Sequence, residues 1–501
     1  MTSFVFLSTV NGQAINRAEI PVFDFKDLRA AIIDYVKAGA RISGLPAWRE
    51  DDGRLRMVAV LSMPASGDIL LGACDMPDSW RSLTPDCPSA HWFEREIAEI
   101  WQVMPEGHPW LKPIRFQPPR DLQLQGKIPA IGITGFFSIK GEESHEVAVG
   151  PVHAGIIEPG HFRFLCHGET VYHLEISLGY QHRGVERAMT GGPGPRSIHY
   201  METLAGDTTI GHATAYCRAV EALSGIHVPP RAEAIRAIAA ELERIANHTG
   251  DLGALAGDIG YLPTMSYCGR IRGDVLNMTA ILCGNRFGRG LVRPSGTAYD
   301  LDRELIELLI TRLNSAEKDL KGAVEIMFDT PSVLARFEGT GALSEDTARE
   351  IGLVGPAARA TGLDCDVRRE FPYGMYRFAQ VHTCTWTTGD CFARAYVRWL
   401  EIKASIEFIR RQLLELPEGP VSLNVSPLRG DMLAVSLAEG WRGEICHVAA
   451  TDSKGRFAFY KVIDPSFHNW FGLALALRNQ QISDFPLCNK SFNLSYCGHD
   501  L

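Results

Sequence analysis

Three amphipathic stripes set the architecture available to this chain. Ile235, Ile238, Leu242 and Ile245 recur at helical spacing and stop near Gly250. Leu305, Leu309, Leu313, Ala316 and Leu320 form a second stripe, and Ile402, Ile406, Ile409 and Leu413 form a third, closed by Pro417. Apolar residues at this spacing place one buried face along a helix. Helices of this kind gain their stability by packing those faces together, so the stripes imply a bundle core, with helices dominating from about residue 185 onward.

The region upstream reads differently. Asp24 is placed to cap a helix carrying Leu28, Ile32 and Val36 on one face, with Gly39 as its stop signal. Short apolar runs follow at Met57 to Met63 and Ile69 to Cys74, then a charged helical piece at Trp92-Phe-Glu-Arg-Glu-Ile97. This predicts a small α+β domain over residues 1–120. Pro113, Pro118 and Pro119 then break the pattern, and Gly126 to Glu143 is rich in glycine and polar residues, so residues 121–148 read as a linker. Beyond it, Phe162 and Phe164 alternate, His167-Gly168-Glu169 turns, and Tyr172, Leu174, Ile176 and Leu178 alternate again, which predicts a β-hairpin opening the second domain, residues 149–501. The fold class is therefore α+β: a small α+β domain, then a mainly α-helical domain that begins with a hairpin.

At 501 residues the chain exceeds one ordinary core, in keeping with two domains. No apolar run approaches the roughly 18 to 20 residues of a membrane helix, and Trp470 to Leu477 is only of buried-core length. The N-terminus lacks the pattern of a secretory signal peptide. Twelve cysteines are scattered without a Cys-x-x-Cys pair, the spacing of free thiols in a reducing cytoplasm rather than of an iron-sulfur or zinc site. A net charge of -9 without like-charge blocks argues against nucleic acid as the partner. No Gly-x-Gly-x-x-Gly follows a strand and opens a helix, so the chain offers no nicotinamide-binding fingerprint.

Two tracts carry most of the chemistry. One is Glu202-Thr-Leu-Ala-Gly-Asp-Thr-Thr-Ile-Gly-His212; the other is Asp464-Pro-Ser-Phe-His-Asn469. Read with Gly150 to Phe164, Gly179 to Glu186, Glu241 to His248, Gly284 to Gly290, Arg336 to Gly341, Gly352 to Pro356, Asp364 to Arg368 and Gly389 to Arg394, the second domain resembles the large subunit of energy-converting, membrane-bound nickel-iron hydrogenases and the related 49 kDa-type subunit of respiratory complex I. The formate hydrogenlyase large subunit and hydrogenase-4 component G are of this kind. His91 to Trp101 with Gly107-His-Pro-Trp-Leu111 is similar to the 30 kDa-type subunit of complex I; on spacing alone it reads as an amphipathic helix and a proline turn, and its position upstream of the hydrogenase-like region favours the resemblance.

In that family two Cys-x-x-Cys pairs hold the metal centre, in Glu-Arg-x-Cys-Gly-x-Cys-x-x-x-His and Asp-Pro-Cys-x-x-Cys. Matching the motifs puts Ala205 and Thr208 at the first pair, and Ser466 and Asn469 at the second. Soft thiolates suit such a centre and none of these side chains replaces one, so the resemblance implies a vacated metal site and no metal in this chain. Complex I uses the corresponding cavity for a quinone headgroup, held by a His and a Tyr. Here Ile157 and Leu204 take those positions, and neither donates a hydrogen bond.

What remains is polar. Glu158, Asp207, His212 and Asp464, with Thr208, Ser466, His468 and Asn469 beside them, are expected to converge, the first four as a candidate proton-handling set. Taken singly, His212 can simply satisfy a buried carbonyl, Asp207 cap a helix and Asp464-Pro465 begin a turn. In the family His182 and Arg183 face the neighbouring iron-sulfur subunit; Glu401 is read as pairing with Arg394 or Lys403 on exposed helix surface. Phe492, Leu494 and Tyr496 alternate as in a structural strand rather than a peptide that is discarded.

The resemblance implies a subunit of a complex I-related oxidoreductase, of the NADH-quinone oxidoreductase or hydrogenase type, coupling electron transfer to ion translocation. It carries no cofactor of its own beyond a possible quinone, receives electrons from an iron-sulfur small subunit, and sits on the cytoplasmic face of the inner membrane through that subunit and antiporter-like membrane subunits. The alternative is a non-catalytic scaffold or conformational coupling subunit of an ion-translocating complex.

Overall fold

The computed structural model describes residues 5–120, 130–139, 141, 143–155 and 157–501. Its N-terminal part is an α+β unit. Strands Leu7–Val10, Asp68–Asp75, Leu55–Met63 and Arg41–Gly44 lie side by side, antiparallel throughout. Val22–Phe23 adds in parallel to the 68–75 strand and Ala47–Arg49 pairs with the 55–63 strand. Helix Phe25–Lys37 packs Leu28 and Ile32 inward from an Asp24 N-cap whose side chain makes no capping bond, while Gly39 leaves the helix at positive φ.

The expected hairpin is present as His161–His167 and Thr170–Ser177, and it gains a third strand, Ser144–Val149, from the segment read as linker. Of the remaining expected linker, residues 121–129 with 140 and 142 lie outside the described residues. Tyr172 does not share the buried face: Leu165 pairs with His173 and Cys166 with Val171, so Tyr172 is the bulge residue and is exposed.

Helices Pro230–Asp258, Leu262–Cys283, Arg303–Phe328 and Cys391–Leu414 build the bundle that the stripes predict. The Pro230–Asp258 helix runs through Gly250, since an isolated glycine does not end a helix whose neighbours are packed. The C-terminal tail is not a strand. Phe485–Phe492 and Tyr496–Asp500 are helices separated by Asn493 in the left-handed region, and Ser495 caps the second.

Helices do not account for the whole of residues 149–501. Met432–Gly440, Gly443–Thr451 and Phe457–Ile463 form an antiparallel meander, extended at its edge by Ala14–Asn16 from the N-terminal part. Both faces of this sheet are buried, so its sequence reads as continuous apolar runs without the alternation that marks a half-exposed strand. Alternation survives in what each face meets. Glu444, Phe459 and Lys461 meet the N-terminal part, through Ser43, Trp48 and Glu96; His447 and Tyr460 point the other way, toward helix Thr209–Ser224.

The 91–96 tract pins the two parts together. Phe93 packs on Phe467, and Glu94 accepts from Trp80 Nε1 at 2.9 Å, Leu83 N at 2.8 Å and Thr84 N at 3.0 Å. The Arg95 guanidinium lies 4.5 Å from the ring centres of both Trp92 and Trp110. Glu96 joins Arg115 and, at 2.5 Å, Lys461 of the meander.

Candidate functional site

The two chemistry-bearing tracts meet at the start of helix Thr209–Ser224. His212 Nε2 lies 3.0 Å from Asp464 Oδ2, and the other carboxylate oxygen accepts the Ser466 amide at 2.8 Å. On its far side His212 Nδ1 is 3.2 Å from His447 Nε2, and His447 Nδ1 is 2.8 Å from the Tyr460 hydroxyl. Tyr460 stands opposite Ala449, so it is the diagonal neighbour of His447 on one sheet face. The four side chains form one buried hydrogen-bonded chain: Asp464 and Tyr460 are at most 1% exposed and both imidazoles are 0% exposed.

Asp464 fixes the polarity of this chain. Burial alone raises its pKa, but the His212 contact, then Arg442 and the Ser466 side chain, outweigh it and hold the carboxyl below its ordinary range. Burial, and then His212, press the His447 pKa far down, so that ring is neutral; burial pushes the Tyr460 hydroxyl up, so it keeps its proton. An ionised Asp464 only accepts. One consistent arrangement then runs Tyr460 O–H to His447, His447 N–H to His212, and His212 N–H to Asp464. A proton entering at Tyr460 can be relayed inward: Tyr460 passes its own proton to His447 Nδ1, His447 passes its Nε2 proton to His212 Nδ1, and both bonds are left reversed. The chain can therefore pass a proton by transfer along its bonds, without a heavy atom moving.

The other expected members are placed separately. Asp207 is locked by Arg442, Nη1 to Oδ1 at 2.7 Å and Nη2 to Oδ2 at 2.9 Å. Burial raises its pKa, and Arg442 outweighs that and leaves it below the ordinary range. Thr208 Oγ1 takes Trp441 Nε1 at 3.1 Å and Arg442 Nη1 at 3.3 Å, and donates to Asp207 at 3.1 Å. Ser466 Oγ accepts the Ser495 amide at 2.8 Å. Asn469 turns from the His212 chain and makes paired bonds with Val354 N and O, each 3.0 Å. His468 faces the other side of its helix, edge-on to Phe93, with its pKa pressed to about 4 by burial. Glu158 reaches the C-terminal turn instead, accepting from Tyr496 N at 3.3 Å.

These contacts test the residues against a nickel-iron centre. Ala205 is fully buried and has no donor atom, and the polar groups of Thr208, Ser466 and Asn469 are engaged by protein partners. The set does not suit such a centre, and among the described residues no cluster of three His, Cys, Asp or Glu is arranged to hold a metal ion. Leu204 is fully buried while Ile157 is 43% exposed, so the two do not jointly line one closed headgroup pocket. Arg183 bonds Thr203 O and Leu204 O, each at 2.8 Å, and so clamps the first tract by its backbone; His182 Nδ1 lies 2.8 Å from Asp500 O.

Behind the first tract the bundle encloses charge. Glu401 is not on exposed surface: it is 1% exposed and joins Arg359 and His248 at 2.8 Å and Arg244 at 3.4 Å. Burial raises its pKa, and Arg359, His248 and Arg244 overturn that and hold it far below the ordinary range. Glu241 bonds Arg368, Arg244, Ser405 and Tyr376, and after the same contest its carboxyl settles at about 2. Stripe periodicity finds the buried face of a helix but does not reveal charges neutralised inside it.

His447, Tyr460, Trp441, Arg442 and Glu243 escape a reading of the sequence alone. The one available signal is a histidine within the apolar run Ile445-Cys-His-Val448.

Comparison with known proteins supplies the context. Residues 258–431 match the family described as the 49 Kd subunit of respiratory-chain NADH dehydrogenase, and residues 28–125 match its 30 Kd subunit. The carbon monoxide-induced hydrogenase of Rhodospirillum rubrum is 32% identical over 351 residues, 70% of this chain and 97% of that protein. Formate hydrogenlyase subunit 5 of Escherichia coli is 29% identical over 432 residues, 83% of this chain and 76% of that one. An NADH-quinone oxidoreductase subunit of Clostridium beijerinckii is 34% identical over 311 residues, 61% of this chain and 83% of that one.

The protein is thus of the class of oxidoreductase subunits related to respiratory complex I, which work in membrane-associated assemblies. The chain belongs to the family that unites the 49 kDa-type subunit of NADH dehydrogenase with the large subunits of hydrogenases, and carries a 30 kDa-type region ahead of it. No described helix is long and apolar enough to cross a membrane.

Proposed function

We propose that this chain is the hydrogenase-type subunit of a complex I-related assembly in which the former metal site works as a proton-handling site. Ala205, Thr208, Ser466 and Asn469 stand at the vacated ligand positions; Ala205 is buried, and the other three side chains are bonded to protein groups. The observation that carries the reading is the buried chain Asp464–His212–His447–Tyr460. Such a chain has two hydrogen-bond polarities and can move a proton between its ends, the task a site needs when an adjoining redox step changes charge.

In this reading electrons arrive from an iron-sulfur partner subunit beside His182 and Arg183, the acceptor is a quinone or another small molecule, and antiporter-like membrane subunits hold the chain at the cytoplasmic face of the inner membrane. Glu158 and Asp207 take the lesser roles of fixing the C-terminal turn and the start of the His212 helix.

The test is purification of the native complex through this chain, with partners identified and reduction of a soluble quinone analogue followed with wild-type, His212→Gln and Tyr460→Phe subunits. Quinone reduction that falls at least tenfold in both variants, with assembly intact, supports the reading. Undiminished turnover in both overturns it. A second reading, a scaffold or coupling subunit without turnover, is favoured by one observation: Leu204 and the vacated positions are packed and bonded rather than open. Assembly and ion movement that persist without any redox turnover select it.

A further inference from the structure

At the start of the His212 helix lies a second carboxylate with unusual surroundings. Glu243, on helix Pro230–Asp258, is 9% exposed and accepts two backbone amides at the start of helix Thr209–Ser224: Ile210 N at 2.7 Å and Gly211 N at 3.2 Å. Among the described residues no cation pairs with it. Arg244, next in sequence, is spent on Glu241, Glu401 and the carbonyls of Glu439 and Gly440. Arg236 is spent on Glu221 and Gly296, and Arg442 on Asp207.

Glu243 also borders a small cavity of about 20 Å³, room for about one water molecule, walled by Thr214, Arg236, Tyr376, Glu439 and Trp441, with the partly exposed Glu233 on the same wall. The charged and titratable groups facing it are few. Arg236 and Glu233 stand on its own helix, Glu439 on the meander, Tyr373 and Tyr376 on the 373–376 turn, and Asp207 ahead of the His212 helix. Glu439 is itself bonded to Arg359 and the Val367 amide.

We propose that Glu243 is the proton-loading residue of this site, exchanging a proton with water in the adjoining cavity and so setting the charge at the base of the helix that carries His212. The exchange balances simply: the carboxylate takes a proton from hydronium to give the acid and water, and returns it by the reverse step. The two amide bonds use one lone pair on each oxygen and leave the others free for that proton. Burial pushes the Glu243 carboxyl up to about 8, against the pull of the Ile210 and Gly211 amides, so both forms exist near neutral pH. The inference rests on the proton-handling reading above.

Infrared difference spectra of the full chain across a pH titration test it. Expected is a carboxylic-acid carbonyl band that shifts in deuterium oxide and disappears as pH rises through about 8. The band should be absent from Glu243→Gln and displaced in frequency in Glu243→Asp. Subtracting the variant separates it from Glu370, which burial places at about 7. No wild-type-minus-Glu243→Gln band, or one insensitive to deuterium oxide, overturns the proposal. If Glu243→Gln does not fold, an undisplaced band in Glu243→Asp does so. The spectra need no turnover: an intact Glu243 band in a complex without redox activity removes the oxidoreductase reading and leaves this one standing.

Discussion

His212 and Asp464 are 252 residues apart in sequence and 3.0 Å apart in space, both within the buried interior. His212 lies in the first turn of helix Thr209–Ser224 and Asp464 caps the helix that follows the meander, so this contact ties the two tracts together.

Removing the imidazole leaves a buried carboxylate short of its main partner. His212→Ala is therefore expected to cost about 3–5 kcal/mol of stability, the range for breaking one side of a buried pair. Asp464→Asn keeps the shape and the Ser466 capping contact and should cost less. Denaturant midpoints of the two variants against the wild type check the order, and an Asp464→Asn loss equal to or above that of His212→Ala contradicts it.

The join between the N-terminal part and the meander should be acid-sensitive. Burial raises the Glu96 pKa, but Lys461 and Arg115 outweigh it and hold the carboxyl at about 2 against an ordinary 4.5. A depressed carboxyl contributes stability above its unfolded value and loses it as pH falls through the folded one, here from about 4.5 down to about 2. Lys461→Met should lower stability at neutral pH by about 3–5 kcal/mol, because Glu96 and Glu186 both lose their ammonium partner. It should also flatten that acid limb. Thermal melts across pH measure both effects.

Glu243 makes the opposite contribution. Its folded pKa of about 8 lies above the ordinary 4.5, so its stabilisation is full below about 4.5 and is lost as pH rises toward 8. Glu243→Gln, which cannot ionise, should gain on the wild type steadily over that window. A stability difference between the two that is constant from pH 5 to pH 8.5 contradicts the assignment.

Much of the architecture is legible in the sequence because its signals are local. The three stripes, the 25–37 helix, the 55–63 and 68–75 strands and the 161–177 hairpin each follow from periodicity within a short window. The meander is not legible, since a sheet buried on both faces loses its alternation, and the tail misleads because Phe492, Leu494 and Tyr496 are all buried on helical and turn backbone. The site is half legible. Motif matching brings forward His212 and Asp464, but His447 and Tyr460 lie on strands whose existence the pattern hides. Glu401 shows the same limit, because the partners that bury it, Arg359 and His248, are set by tertiary packing.

The central claim is that this relative of hydrogenase large subunits holds its former metal site with protein contacts alone. Elemental analysis of nickel and iron per chain, on the native complex purified with its partner subunits, tests it most directly. Nickel far below one per chain, with any iron assigned to partner subunits after dissociation, is the expected result. Nickel near one per chain that stays with this subunit would contradict the account and require a donor set other than Ala205, Thr208, Ser466 and Asn469.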